Sequence, residues 1–155
     1  MANNEILRSI RDALNIDDTT MIQVFEESGR DVGLSTISAF LKSEEEDDYI
    51  PCTDPVFRFF LEGLIIHKRG RKDNAPSVAP QPVGQLTRND IIKKLRIALD
   101  LKEYDLVAVF KAGNIEISKN DLSALFRKQD NKHYKECSDR IFKGFLKGLA
   151  LHRKG

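Results

Sequence analysis

The chain has 155 residues, with 25 basic against 24 acidic side chains and a net charge of +1. Hydrophobic residues at 41% and charged residues at 32% exclude a disordered chain on one side and a membrane protein on the other. No run approaches the roughly 18 apolar residues of a spanning helix. The first residues carry neither a basic stretch nor a long apolar one, so no signal peptide is expected and the cytoplasm is the expected compartment.

Shifted by about 85 positions, the sequence falls onto itself. Asn4 meets Asn89, Arg11 meets Arg96, and Val24 and Phe25 meet Val109 and Phe110. Tyr49 then pairs with Tyr134, Cys52 with Cys137, Gly63 with Gly148 and His67 with His152. Chance does not hold such residues in step over that distance, so the chain reads as a tandem duplication. The first repeat spans residues 1–72 and the second 86–155, joined by a linker over 73–85. The linker holds three of the five prolines and no apolar period. It reads as an extended spacer of about 3.1 Å per residue where polyproline-like.

Each copy reads as four helices. The first starts near Asn3/Asn4 or Thr87/Asn89, all acceptable N-caps. It carries one apolar face, Ile6, Leu7, Ile10, Ala13 and Leu14, matched in the second copy by Ile91, Ile92, Leu95, Ala98 and Leu99. The second helix follows Asp17 and Asp18, or Lys102 and Glu103, with Met21, Ile22, Val24 and Phe25 matched by Leu106, Val107, Val109 and Phe110. Gly29 or Gly113 would stop it in a left-handed turn, with a small shift of register between the copies. The third helix begins at a capping-box-like stretch from Ser118 to Asp121, with Leu122, Leu125 and Phe126 as its stripe. Ile37, Phe40 and Leu41 correspond in the first copy.

The fourth helix starts at Thr53 or Ser138, with Pro55 in the first turn of one copy. Val56, Phe57, Phe59, Phe60, Leu61, Leu64, Ile65 and Ile66 cover most of its circumference, which predicts a central, mostly buried helix. Gly63 and Gly148 fall in mid-helix, where glycine costs about 1 kcal/mol against alanine. Close approach of another helix is the expected compensation. No strand pattern stands out. A repeat of this size just buries its own core, and the fourth helices carry more apolar surface than one repeat covers. The predicted fold is therefore all-α: two tandem four-helix repeats packed about a pseudo-two-fold axis.

The repeated Cys and His invite a metal reading. Cys52 precedes the fourth helix and His67 ends it, about 20 Å apart at 1.5 Å per residue. Pairing across the copies, Cys52 with His152 and Cys137 with His67, gives two ligands where sites use three or four. No metal and no cofactor are expected, and the cysteines read as small buried hydrophobes. A disulfide between them is not expected in a reducing cytosol. The basic helix ends, Lys68 and Arg69 after His67, and Arg153 and Lys154 after His152, read first as C-terminal caps. Their functional reading is a phosphate-binding patch, extended by Arg71 and Lys72. The segment from Leu106 to Leu125 has a helix-turn-helix outline, but Lys119 stands where that motif wants an apolar residue. The acidic run of residues 44–48 is not kept in the second copy and reads as a solvated loop. Tyr49 and Tyr134 end these loops and read as anchors onto the fourth helix. Phosphate-cradling glycine loops, nucleophile elbows and dinucleotide fingerprints are missing, so no enzyme is expected.

The repeated pattern resembles the YehS-like proteins, a bacterial two-repeat family of unknown function. The likeness lies in Asn-[Asp/Glu]-Ile, Arg-x-Ala-Leu, Val-Phe, Tyr-x-x-Cys-[Ser/Thr]-Asp and Phe-Leu-x-Gly-Leu-x-x-His-[Lys/Arg]-[Lys/Arg]-Gly. It covers nearly everything but the linker. It implies a small, cytosolic, all-helical protein, and no functional residue is carried over from it.

The expected function is a non-enzymatic helical interaction module, with a protein partner or self-association and no membrane contact. The rival is nucleic-acid binding through the second repeat, with Lys93, Lys94, Arg96, Lys143, Lys147, Arg153 and Lys154 as phosphate contacts. Charge supports the rival. Residues 1–72 hold 9 basic and 14 acidic side chains, net −5, whereas residues 86–155 hold 16 and 9, net +7. A third expectation is a small-molecule pocket between the repeats.

Overall fold

A computed structural model describes residues 1–70 and 85–154. Among them are eight helices and no strand: α1 (Asn3–Leu14), α2 (Asp18–Glu27), α3 (Leu34–Leu41), α4 (Asp54–Arg69), α5 (Arg88–Leu99), α6 (Glu103–Ala112), α7 (Lys119–Leu125) and α8 (Asp139–Lys154). The extended reading of the linker falls almost wholly on residues outside this description.

Local chemistry sets the helix starts. Asp17 accepts from the Thr20 N–H at 2.8 Å to open α2. Thr53 and Ser138 accept from Val56 and Ile141 to open α4 and α8. Thr87 opens α5 in a full capping box with Asp90. At α1 the expected Asn3/Asn4 cap is not used. Ala2 is the cap residue and makes no side-chain bond, because Asn4 is turned inward and occupied elsewhere.

The fourth helix of each repeat is the centre. Phe57, Phe60, Leu61 and Leu64 of α4, and Phe142, Phe145 and Leu149 of α8, are essentially inaccessible. Within a repeat α4 packs on α2, and α8 on α6. Between repeats α1 packs on α8, and α5 on α4. Each first helix thus covers the other repeat's fourth helix, and the buried side chains of both halves form one continuous core. This is the pseudo-two-fold arrangement expected from the apolar circumference of the fourth helix.

The mid-helix glycines mark where helices touch through their backbones. A Cβ on Gly63 would stand 1.8 Å from the Val24 carbonyl oxygen, and one on Gly148 would stand 1.8 Å from that of Val109. The end of the second helix differs from the left-handed glycine stop expected in both copies. Gly113 is not left-handed (φ −90°), and Ser28 has the same conformation (φ −93°). The left-handed residues are Gly29 (φ 87°) and Asn114 (φ 63°), one position later in each copy. The repeats therefore stay in register here. Gly113 is needed for a different reason: a Cβ there would stand 1.8 Å from the Gly144 carbonyl oxygen on α8.

Replacing Gly63 or Gly148 by alanine drives one backbone into another, a severe form of overpacking. A loss of about 3 kcal/mol is expected, with a fall in Tm of roughly 6–12 °C for a chain of this size. Urea and thermal unfolding check this. A midpoint equal to wild type would show that the two backbones are not in contact.

Candidate functional site

Two polar residues inside the first turns of α1 and α5 shape the surface above them. Asn4 and Asn89 are 3% and 4% exposed. The Asn4 side-chain amide donates to the carbonyls of Phe40 (3.0 Å) and Ile50 (2.8 Å), and its oxygen accepts from the Cys52 N–H (2.9 Å). Asn89 repeats this with Leu125 (3.0 Å), Lys135 (2.9 Å) and Cys137 (2.8 Å). The clasp ties the end of the third helix to the chain entering the fourth. Backbone bonds from Ile50 to Ala39 and from Lys135 to Ala124 complete the joint. As a sequence Asn4 and Asn89 suit N-caps, whereas the structure buries both. Their place on the apolar stripe, three residues before Leu7 and Ile92, is the signal that marks them as buried.

The clasp leaves a groove between the third helix and the returning chain. In the first repeat it measures about 680 Å³ and is lined by Leu34, Ser38, Ala39, Lys42, Tyr49 and Ile50, among others. Tyr49 is half-buried along this groove beside α3. Leu34 and Ile50 are 55% and 43% exposed. The acidic residues 44–48 are all exposed, and Asp48 among them lines the groove. Asp48 pairs with Lys42 at 3.8 Å, and the Glu46 carboxylate accepts from the Ser43 N–H at 2.6 Å. At the matching positions of the second repeat, Leu34 becomes Lys119, Lys42 becomes Arg127, Asp48 becomes His133 and Ile50 becomes Lys135. One frame is apolar with an acidic edge in one copy and cationic in the other.

The candidate cations scatter. Arg69 pairs with Asp100 at 3.0 Å, Lys94 with Glu62, and Lys143 with Asp139 at 3.0 Å. The first two of these pairs cross between the repeats. Arg96 is stacked on Phe126. Lys68 and Lys147 are exposed and Lys93 half-buried, none in an ion pair among the described residues. Arg153 and Lys154 end α8. Arg71 and Lys72 lie outside the described residues.

One buried cation was not singled out by the sequence: Arg58, 5% exposed on α4. It stands between Phe57 and Phe59 in an otherwise apolar run, which is the signal it left. With Lys93 and Lys94 it lines a depression of about 320 Å³ where the repeats meet. The Asp54 carboxyl is held below its ordinary range. Burial raises it, but the Leu86 N–H, the Asn3 amide and the Arg58 charge outweigh that.

His67 and His152 are exposed, and Cys52 and Cys137 are buried free thiols. No group of three or more His, Cys, Asp or Glu side chains fit for a metal occurs among the described residues. Burial pushes the Cys52 thiol up to about 12, with the Asp54 charge adding to it. Burial likewise pushes Cys137 to about 11.

The model for a protein family of unknown function (DUF1456) matches residues 3–70 and again residues 88–155. The chain belongs to the DUF1456 family. Its two matches coincide with the two helical units, so one family unit corresponds to four helices. The uncharacterized protein YehS of Escherichia coli (strain K12) is 33% identical over 153 residues, covering 99% of this chain and 97% of that protein. No solved structure matches. No described helix is long and apolar enough to cross a membrane.

Asn4→Ala or Asn89→Ala strands one buried carbonyl, one part-buried carbonyl and one buried N–H. At about 1–3 kcal/mol per stranded group, partly relieved by water, a loss of about 3 kcal/mol is expected in urea unfolding. A change below about 0.5 kcal/mol, the usual size for surface substitutions, would mean that the clasp is not closed. The thiols give a second test. An unfolded thiol ionises near its ordinary value of 9.0, while folded Cys52 holds its proton to about 12. Its contribution is therefore complete below pH 9 and is lost as pH rises from 9 to 12. Both thiols should resist aromatic disulfide reagents at pH 8 until the chain unfolds. Labelling of native protein as fast as free glutathione would contradict their burial.

Proposed function

We propose that this chain is a non-enzymatic helical interaction module whose first-repeat groove receives a basic, partly apolar segment of a partner protein. The observation that carries the reading is the open groove along α3, with Leu34 and Ile50 both exposed and both lining it. Isolated exposed apolar residues are ordinary, whereas two lining one concave surface favour an occupant. Charge complementarity selects the class. Glu44, Glu45 and Asp47 are exposed in the loop between Lys42 and Asp48, both of which line the groove, and have no basic partner among the described residues. A helix with apolar anchors at i and i+3 or i+4 and Lys or Arg on its flank suits such a surface. The test is capture from a bacterial lysate with a photo-crosslinker at position 50, comparing wild type, Leu34→Asp and a distant control, Tyr104→Ala. A single crosslinked protein, lost with Leu34→Asp and kept with Tyr104→Ala, is expected. Capture indifferent to Leu34→Asp, or reproducible turnover of a substrate, would overturn the reading.

A second reading, nucleic-acid binding by the second repeat, is favoured by Lys119, Arg127, His133 and Lys135, which are exposed where the first repeat has its groove. Filter binding at two salt concentrations tests it. Binding that weakens steeply with salt supports it, and absence of binding at low salt rules it out.

A further inference from the structure

Arg11 and Arg96 hold the same place in the two repeats, near the end of the first helix. The acid seven residues later is kept as well, as Asp18 in one copy and Glu103 in the other. Their uses differ. Arg11 donates to the Asp18 carboxylate at 3.0 Å, and Asp12 stands 3.8 Å from its other amino group. That guanidinium is neutralised. In the second repeat Asp12 is replaced by Ile97, and no carboxylate lies within ion-pair distance of Arg96 among the described residues. Arg96 is held in another way. Its Nε donates to the Leu101 carbonyl at 3.1 Å, and its Cζ lies over the Phe126 ring, 4.7 Å from the centroid, where the first repeat has Leu41.

This anchoring fixes the guanidinium through one nitrogen and one face and leaves its two terminal amino groups without an acidic partner. Arg96 lines a depression of about 310 Å³ together with Lys119, Arg127, Ser123 and Glu103. Lys119 and Arg127 are exposed and in no ion pair among the described residues. Three cations therefore face one carboxylate in a space large enough for a small ligand. The matching set in the first repeat holds Leu34 and Lys42, beside an arginine already paired.

We propose that this depression is a phosphate-binding site, with Arg96 as the bidentate fork and Lys119 and Arg127 as flanking charges. A planar fork held in advance suits phosphate oxygens and loses little freedom on binding. Three cations also match a dianion better than a carboxylate. The site needs none of the α3 groove residues; it lies on the other repeat, where it deepens the second reading by sharing Lys119 and Arg127 with it. The ligand class is a phosphate ester, either a free nucleotide or a nucleic-acid backbone.

Titration of the full chain at low ionic strength, followed by NMR of backbone amides and the Arg96 Nε–H, tests the proposal. The probes are inorganic phosphate, adenosine monophosphate and a 12-nucleotide single strand. Saturable shifts confined to residues near 96, 103 and 119–127 are expected. Lys119→Ala with Arg127→Ala, both on exposed positions that leave the core intact, should weaken binding about tenfold, equivalent to about 1.4 kcal/mol. Arg96→Lys should do the same by removing the fork, whereas Arg11→Lys and Leu34→Asp should leave it unchanged. Tighter binding of the single strand with a steep salt slope identifies a nucleic-acid backbone. Equal or tighter binding of the mononucleotide identifies a small ligand. Either supports the site. No saturable shift with any probe, or shifts unaltered by the Lys119 and Arg127 replacements, would overturn it.

Discussion

Everything in this molecule depends on the fourth helix of each repeat being covered by the first helix of the other. A unit of about 70 residues buries only about 60% of the surface its unfolded chain exposes, which leaves little margin against chain entropy. Exchanging the first helices merges two small cores into one. The glycine contacts make that merger tight. Because α4 meets α2 through backbone at Gly63 and also meets α5, a displacement on either side must be passed to the other. Close-packed interiors transmit such shifts instead of absorbing them.

The asparagine clasps show what duplication was obliged to retain. The three bonds of Asn4 and Asn89 agree between copies within 0.1 Å. A buried amide with three partners has no substitute that satisfies all of them, so this part of the frame is identical in both halves. Exposed positions on the same frame face no such demand. Leu34 and Lys119, or Ile50 and Lys135, are tolerated equally by the backbone that carries them. The groove and the cationic face are thus two decorations of one joint.

The repeat, the four helices per copy and the central fourth helix were legible because each rests on periodic apolar burial and on Thr, Ser and Asp caps, which are local signals. The helix contact at Gly63 was legible too, because a mid-helix glycine is costly enough to require a reason. What escaped depended on pairings across the chain. Asn4 suits a cap by its local sequence because its true partners are 36 to 48 residues away. Gly113 suits a turn by its local sequence, since glycine's conformational freedom is a local property, whereas its contact with Gly144 is tertiary. The candidate cations could be named but not sorted, since pairing of Lys94 with Glu62 and of Arg69 with Asp100 spans both repeats.

The shared core also changes the meaning of the charge division. Net charges of −5 and +7 on separately tethered domains would reorient freely and largely cancel at a distance. Here the two halves are joined by one core and by ion pairs of both polarities, Glu62 with Lys94 and Arg69 with Asp100. The opposite surfaces are therefore fixed on one body of near-zero total charge. Screening over roughly 8–10 Å at ordinary salt makes each face act on what lies directly before it and not on the sum. A charged molecule near either half would therefore meet the field of that half and not that of a neutral particle. The neutralised Arg11 and the unpaired Arg96 are the same difference at the scale of one side chain. In the first repeat the acids close on the arginine, and in the second Ile97 replaces one of them and Glu103 forms no ion pair with Arg96, which leaves a positioned positive group at the surface.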